Sequence, residues 1–298
     1  MKRWQYIIGV ILLIYILGFL ASKIISSNKI VQDEIVIIPI NGIIATSSSG
    51  LPFESSNANV DGILKELKRA KEDSSIKAVI LDINSPGGTV VASKELANAV
   101  KNLNKPSVAV IREVGASGAY WIASSANEII ADELSITGSV GVISSYLQFD
   151  ELMQKYGITY ERLIAGKYKD LGTPYKNLTL EERNILQSKL DKIHEVFLND
   201  VKKNRKITDV NKISTGEFFL GLEAKDLGLI DKFGNRETAV EDAKKLANLK
   251  NPRIVEFQEK SSILDLLGKI SYSNFYYLGK GIGSQLSIKD SNIQLNAL

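Results

Sequence analysis

This sequence predicts an α/β fold with a largely parallel sheet, and three observations carry that reading. Short apolar runs alternate with helix-periodic segments at close spacing. Two of the runs, Ala78–Asn84 and Pro106–Arg112, are almost continuously apolar rather than alternating, as strands covered on both faces are. Both run towards loops rich in Gly and Ser, Asn84-Ser-Pro-Gly-Gly88 and Gly115-Ala-Ser-Gly118. Ligands of α/β proteins gather at such strand ends.

Taken in order, Glu34 to Ile44 reads as a first strand, and the Ser/Asn-rich Thr46 to Asn59 as a loop. Val60 to Glu72 is a helix with Ile63, Leu64 and Leu67 on one face. Strand 78–84 follows, then a helix from Val90 to Leu103, then strand 106–112. Ser117 to Ala126 is a helix of small residues, Glu128 to Ala131 a short strand, and Ser139 to Ser144 another. Tyr160 to Ile164 is strand-like. Leu180 to about Lys203 is a long amphipathic helix with acids early and bases late, matching its dipole. Thr179 and Glu182 form a capping box at its start. Residues 251–298 differ in character, with Ile263–Leu267 amphipathic and Tyr272, Phe275, Tyr276 and Tyr277 clustered. Three segments result: 1–28, a domain over 29–250, and a C-terminal extension over 251–298.

Composition narrows the chemistry. The 298 residues include no Cys and one His, His194. Disulfides, thiolate metal sites, His-rich metal sites and a Cys nucleophile are thereby excluded. Lys and Arg number 37 against 34 Asp and Glu, a net charge of +3. Residues 1–29 hold Lys2, Arg3, Lys23 and Lys29 and no acid, so +3 less +4 leaves −1 for the rest. That balance carries no nucleic-acid footprint. A mean hydropathy near zero excludes a polytopic membrane protein. Arg3 and Lys23 nevertheless bracket 19 uncharged, mostly apolar residues, Trp4 to Ser22. As a helix the run spans roughly 28 Å, one hydrocarbon core. It is longer than the apolar region of a signal peptide, and Leu20-Ala-Ser-Lys23 is a poor cleavage site. The expectation is one uncleaved anchor with a cytoplasmic N-terminus and everything after about residue 28 outside the cytoplasm.

Ser117 falls on a strand-to-helix turn, where free N–H groups and the helix dipole suit a developing oxyanion. Gly87-Gly88 can present a second N–H without side-chain obstruction. Taken alone, Pro-Gly-Gly is more often a plain turn, and a small-residue helix more often a packing device. Gly115-Ala-Ser117-Gly-Ala119 breaks the G-x-S-x-G elbow at its last position, against an α/β-hydrolase. For a base, His194 lies within the long helix, where a solvated or half-buried position is its expected fate. The Ser-x-x-Lys pairs Ser26/Lys29 and Ser74/Lys77 lack the companion motifs of penicillin-binding folds. Lys169 sits in a polar, Gly-flanked loop, Ala165 to Pro174.

Four linked motifs, Asn84-Ser-Pro-Gly-Gly88, Ala116-Ser-Gly-Ala-Tyr-Trp-Ile-Ala123, Thr137-Gly-Ser-Val-Gly-Val142 and Gly166-Lys-Tyr-Lys-Asp170, resemble the signal peptide peptidase A (SppA) family in its short, single-unit form. The likeness runs from about residue 34 to 250 and includes Gly221 to Asp231. It implies a ClpP/crotonase-like fold and a Ser-Lys dyad. Position by position, Ser117 matches the family nucleophile, Lys169 its general base and Ser139 the serine that hydrogen-bonds the lysine. Gly87 or Gly88, with Gly118, match the oxyanion donors. Ala119 stands where the family often has Gly and Trp121 where Tyr is usual, which puts the packing under the site in question. A lysine base must shed its proton, which burial in a low-dielectric site favours. An adjacent carboxylate would oppose this, so Asp170 is expected to point away from Lys169.

The resemblance implies a serine endopeptidase cutting short apolar peptides such as remnant signal peptides, with no cofactor. It also implies a homo-oligomer whose sites are either self-contained or completed across a subunit interface. A membrane-bound Ser-Lys protease acting on a specific partner protein, a crotonase-type acyl-CoA enzyme and a non-catalytic assembly protein are the alternatives.

Overall fold

The computed structural model describes residue 4 and residues 10–18, 32–46 and 57–257. Its first half comprises β1 (Glu34–Asn41), β2 (Ile43–Ala45), β3 (Asn57–Asn59), α1 (Val60–Glu72), β4 (Ile76–Ser85), α2 (Val90–Lys101), β5 (Ser107–Ala116), α3 (Gly118–Ser124), β6 (Glu128–Ala131) and β7 (Ile136–Gly138). There follow α4 (Asp150–Lys155), α5 (Leu180–Asn204), α6 (Val210–Ile213), β8 (Phe218–Leu220), α7 (Gly221–Asp226), β9 (Lys232–Phe233), α8 (Arg236–Leu246) and β10 (Arg253–Glu256).

The main sheet runs β10-β1-β4-β5-β6-β9, with every neighbouring pair parallel. Successive side chains of a strand point to opposite faces. On one face Ile35, Ile37, Ala78, Ile80, Val108 and Val110 pack against Ala239 and Ala243 of α8. On the other, Val36, Ile38, Val79, Leu81, Ala109 and Ile111 join a core shared with α1, α2 and α3. Cover on both faces is why these strands read as almost continuous apolar runs.

Several elements differ from expectation. Glu34 to Ile44 is two strands, because the chain turns at Gly42 (φ 77°). The Gly42 N–H donates to Asn84 O at 3.1 Å, and the chain beyond leaves the main sheet to pair with β3. The end of the expected 46–59 loop is therefore a strand, β3, while residues 47–56 lie outside the described residues. β5 continues to Ala116. The strand expected over 139–144 lies earlier, at 136–138, because Ser139 adopts a left-handed φ of 52° and the Gly141 N–H turns back to Ser139 O at 2.8 Å. Tyr160–Ile164 forms no strand and is exposed. At the C-terminal end, β10 adds a parallel strand to β1 beyond residue 250. The segments 263–267 and 272–277 lie outside the described residues.

Of the expected anchor, residues 10–18 are helical and exposed. The remainder, apart from Trp4, lies outside the described residues, among which no helix is long and apolar enough to cross a membrane.

The capping box at the start of α5 is present: Thr179 Oγ1 accepts from the Glu182 N–H at 3.1 Å, and Glu182 Oε2 accepts from the Thr179 N–H at 2.9 Å. Thr179→Ala is expected to cost about 1 kcal/mol of stability, read as a lower midpoint in urea denaturation at unchanged slope.

Candidate active site

Strand register assembles the site. Ser85 of β4 pairs with Gly115 of β5, and Ala116 of β5 pairs with Gly138 of β7. The residues that follow, Pro86 to Gly88, Ser117 and Ser139, therefore emerge together at the carboxyl ends of three adjacent parallel strands. All of these but Gly87 line one cleft of about 580 Å³ with Ser93, Trp121, Val142 and His194.

Ser117 is half-buried and held at φ 52°, ψ −123°, between β5 and α3. A non-Gly residue there costs about 1–3 kcal/mol and persists only where its surroundings enforce it. Here the Ser117 N–H donates to Gly138 O at 2.9 Å, and Ser117 O accepts from the Trp121 N–H at 3.0 Å. The Ser117 hydroxyl makes no capping bond to its own helix. The Gly118 N–H, first in α3, has no intrahelical partner and no acceptor among the described residues. Tyr120 anchors α3 from below, its buried hydroxyl donating to Leu229 O at 2.9 Å, and burial pushes its phenol pKa well above the ordinary range.

The glycines across the cleft divide their roles. The Gly87 N–H is consumed, donating to Ser85 Oγ at 3.1 Å. Gly88 is fixed by its neighbours instead: the Ile44 N–H donates to Gly87 O and the Thr89 N–H to Ile44 O, leaving the exposed Gly88 N–H without an acceptor among the described residues. Gly88 must be glycine, since a Cβ there would lie 2.0 Å from Ile44 O. A Cβ on Gly118 would lie 3.3 Å from Gly88 N, so the two free N–H groups are neighbours. Of the three glycines named from sequence, Gly88 and Gly118 can serve as a donor pair, and Gly87 supports the loop.

Ser139 repeats the φ of Ser117 at 52°. Its N–H donates to Glu217 O at 2.9 Å and its Oγ donates to Gly216 O at 3.2 Å. With the hydroxyl proton committed, Oγ offers only lone pairs to the cleft and can act as an acceptor there.

One wall is a stripe of α5 formed by Gln187, Leu190, Asp191, His194 and Phe197. Sequence reading placed His194 in this helix but not in the cleft. Its three- and four-residue spacing from Leu190, Asp191 and Phe197 was the available signal. Trp121 stacks on Phe197, with centroids 4.5 Å apart, and its Nε1–H donates to Asp200 Oδ2 at 3.2 Å. The large ring of Trp121 thus forms the cleft floor. Among the described residues no cluster of His, Asp and Glu has the form of a metal site.

Lys169 does not line this cleft. It lies on an excursion between Val142 and Leu180 that contains α4 and little other regular structure. Its neighbours are tied down: Lys167 pairs with Glu181 at 2.7 Å, the Tyr168 hydroxyl donates to Glu181, and Asp170 takes Arg162 at 2.5 Å and Lys176 at 3.8 Å. The Arg162 hydrogen bond draws the Asp170 pKa down to about 2. As expected, that carboxylate is engaged away from Lys169. The Lys169 side chain is exposed and bonds to none of the described residues. Ile143, Leu147, Leu152, Tyr156 and Leu163 on the same excursion are also largely exposed.

A model of peptidase family S49 matches residues 99–250. A Methanocaldococcus jannaschii protein named "Putative protease" is 39% identical over 223 residues, covering 72% of this chain and 70% of its own length. Protease 4 of Haemophilus influenzae is 33% identical across 76% of this chain, which spans 37% of that longer protein. The Arabidopsis thaliana chloroplastic serine protease SPPA is 30% identical across 81% of this chain and 37% of its own length. In fold, the chain is similar to a mutant of 1510-N, a membrane-bound stomatin-specific protease, with a TM-score of 0.53 at 12% identity, over 77% of this chain and 99% of that one.

Proposed function

The chain belongs to peptidase family S49, of the SppA type, and is a serine-type peptidase; from that premise we propose that Ser117 is its nucleophile, Lys169 its general base and extended apolar peptides its substrates. The observation that carries the assignment is Ser117 itself. It is held in a left-handed conformation beside two free N–H groups, with an acceptor hydroxyl on the adjacent strand end.

The chemistry follows from these positions. A neutral lysine amine takes the Ser117 hydroxyl proton as Oγ bonds to the scissile carbonyl carbon. The resulting oxyanion receives the Gly88 and Gly118 N–H groups. The lysine returns the proton to the departing amine, the C–N bond breaks and an acyl-enzyme remains. Water, deprotonated by the same lysine, then bonds to the acyl carbon, the C–Oγ bond breaks, and the lysine returns the proton to Ser117 Oγ as the acid leaves. Ser139 Oγ accepts a lysine N–H and aims the lone pair at Ser117. The cleft floor of Trp121 and Phe197, with Leu190 and Val142, favours apolar substrate side chains.

Lys169 reaches this chemistry in our reading from a neighbouring copy of the chain. The exposed lysine and the exposed apolar side chains around it support a homo-oligomer in which the excursion packs on the next subunit. The apolar run Trp4–Ser22 would tether the assembly to the membrane, N-terminus cytoplasmic and cleft outside, where signal-peptide remnants accumulate. A crotonase-type reading is disfavoured by the cleft, whose lining includes a single carboxylate, Asp191, rather than a pair.

The full chain in detergent should cleave a fluorogenic apolar peptide and take up a serine-directed phosphonate, with mass spectrometry placing the adduct on Ser117. An active enzyme labelled at another serine would remove the assignment.

A further inference from the structure

We propose that His194, the one histidine of the chain, is a positioning residue for this reaction, acting through the Val140–Gly141 peptide, whose N–H turns back onto Ser139. The inference rests on the reading of the cleft as the peptidase site.

His194 Nε2 lies 3.0 Å from Val140 O. A carbonyl oxygen can only accept, so Nε2 carries the proton and donates it. The bond ties the cleft-facing stripe of α5 to the segment that bears Ser139. Val140 is fully buried, and this is the one hydrogen bond its carbonyl makes among the described residues. Without it a buried acceptor would be left unpaired.

The consequence falls on Ser139. Its φ of 52° is costly for a residue with a Cβ. The bonds that enforce it from the Gly216–Glu217 side are Ser139 N–H to Glu217 O and Ser139 Oγ to Gly216 O. His194 supplies the restraint from the opposite wall. If it is lost, the Val140–Gly141 peptide is no longer held from this wall, and with it the Gly141 N–H that donates to Ser139 O at 2.8 Å; Ser139 can then relax toward negative φ, and Oγ leaves the place where it accepts the lysine N–H. Ser117, Gly88 and Gly118 are held by other bonds and stay where they are. The expected defect is therefore in the chemical step rather than in substrate binding.

Three variants of the full chain separate this role from simple packing. His194→Ala and His194→Phe both remove the donor, while Phe preserves the ring volume. His194→Gln replaces the donor with an amide N–H. With the fluorogenic peptide, Ala and Phe are expected to lose about 10-fold in kcat while KM stays within about 2-fold, since small misplacements of a catalytic group act on the chemical step. Gln is expected to recover most of the loss. Full activity of His194→Phe would overturn the proposal. So would Gln being as impaired as Ala, with all three losses tracking the fall in thermal midpoint. Should His194→Ala fail to fold, the Phe and Gln pair decides. A wild-type chain inert to both peptide and phosphonate would overturn the peptidase reading and this inference together. An active wild type with an unaffected Phe variant would overturn this inference alone.

Discussion

Ser117→Ala is expected to reduce kcat/KM for an extended apolar peptide by about 10⁴-fold or more, roughly 5.5 kcal/mol of lost transition-state stabilisation. The fold should be untouched. The Ser117 hydroxyl caps nothing in its own helix, and its backbone is enforced by bonds from Gly138 and Trp121 that alanine retains. Circular dichroism and the thermal midpoint should thus match wild type while turnover disappears. The Gly88 and Gly118 donors remain, so the variant should still bind peptide. Substantial turnover in a folded Ser117→Ala chain would remove this serine from the mechanism.

The second large effect is at Lys169. Lys169→Ala should cost about 10³-fold in kcat, the contribution of a positioned general base, with no loss of stability, because the side chain bonds to none of the described residues. The informative experiment is a mixture. Ser117→Ala and Lys169→Ala chains, each inactive alone, are co-expressed with different tags and the hybrid oligomer is purified. If the lysine comes from the next subunit of a head-to-tail ring, about a quarter of the sites should combine an intact serine with an intact lysine, and activity should return accordingly. A hybrid as dead as its parents would show that serine and lysine must belong to the same chain.

How much of this was legible beforehand depended on the range of the interactions involved. Strands covered on both faces announce themselves by composition, as Ala78 to Asn84 does with Asp82 and Asn84 its only polar residues, because most of its side chains are buried. Thr179 and Glu182 cap α5 as their spacing foretold, since a cap depends on residues three apart. The failures share a cause. Glu34 to Ile44 broke at Gly42 because a bond to Asn84, distant in sequence, draws the chain out of the sheet. The strand expected from Ser139 onward was lost to a left-handed turn enforced by Glu217 and Gly216. His194 looked like an ordinary helical residue because nothing local records that Val140 lies against it.

Sequence alone was enough for the α/β class and the serine at the strand-to-helix junction, because these follow from local periodicity and backbone preference. Only the folded chain decided that Gly87 spends its N–H on Ser85 while Gly88 keeps its own free, that His194 closes one wall, and that Lys169 stands away from Ser117 on an exposed excursion. Those outcomes depend on which groups meet across long stretches of chain, and hydrogen-bond partners of that kind are chosen by packing rather than by neighbours in sequence.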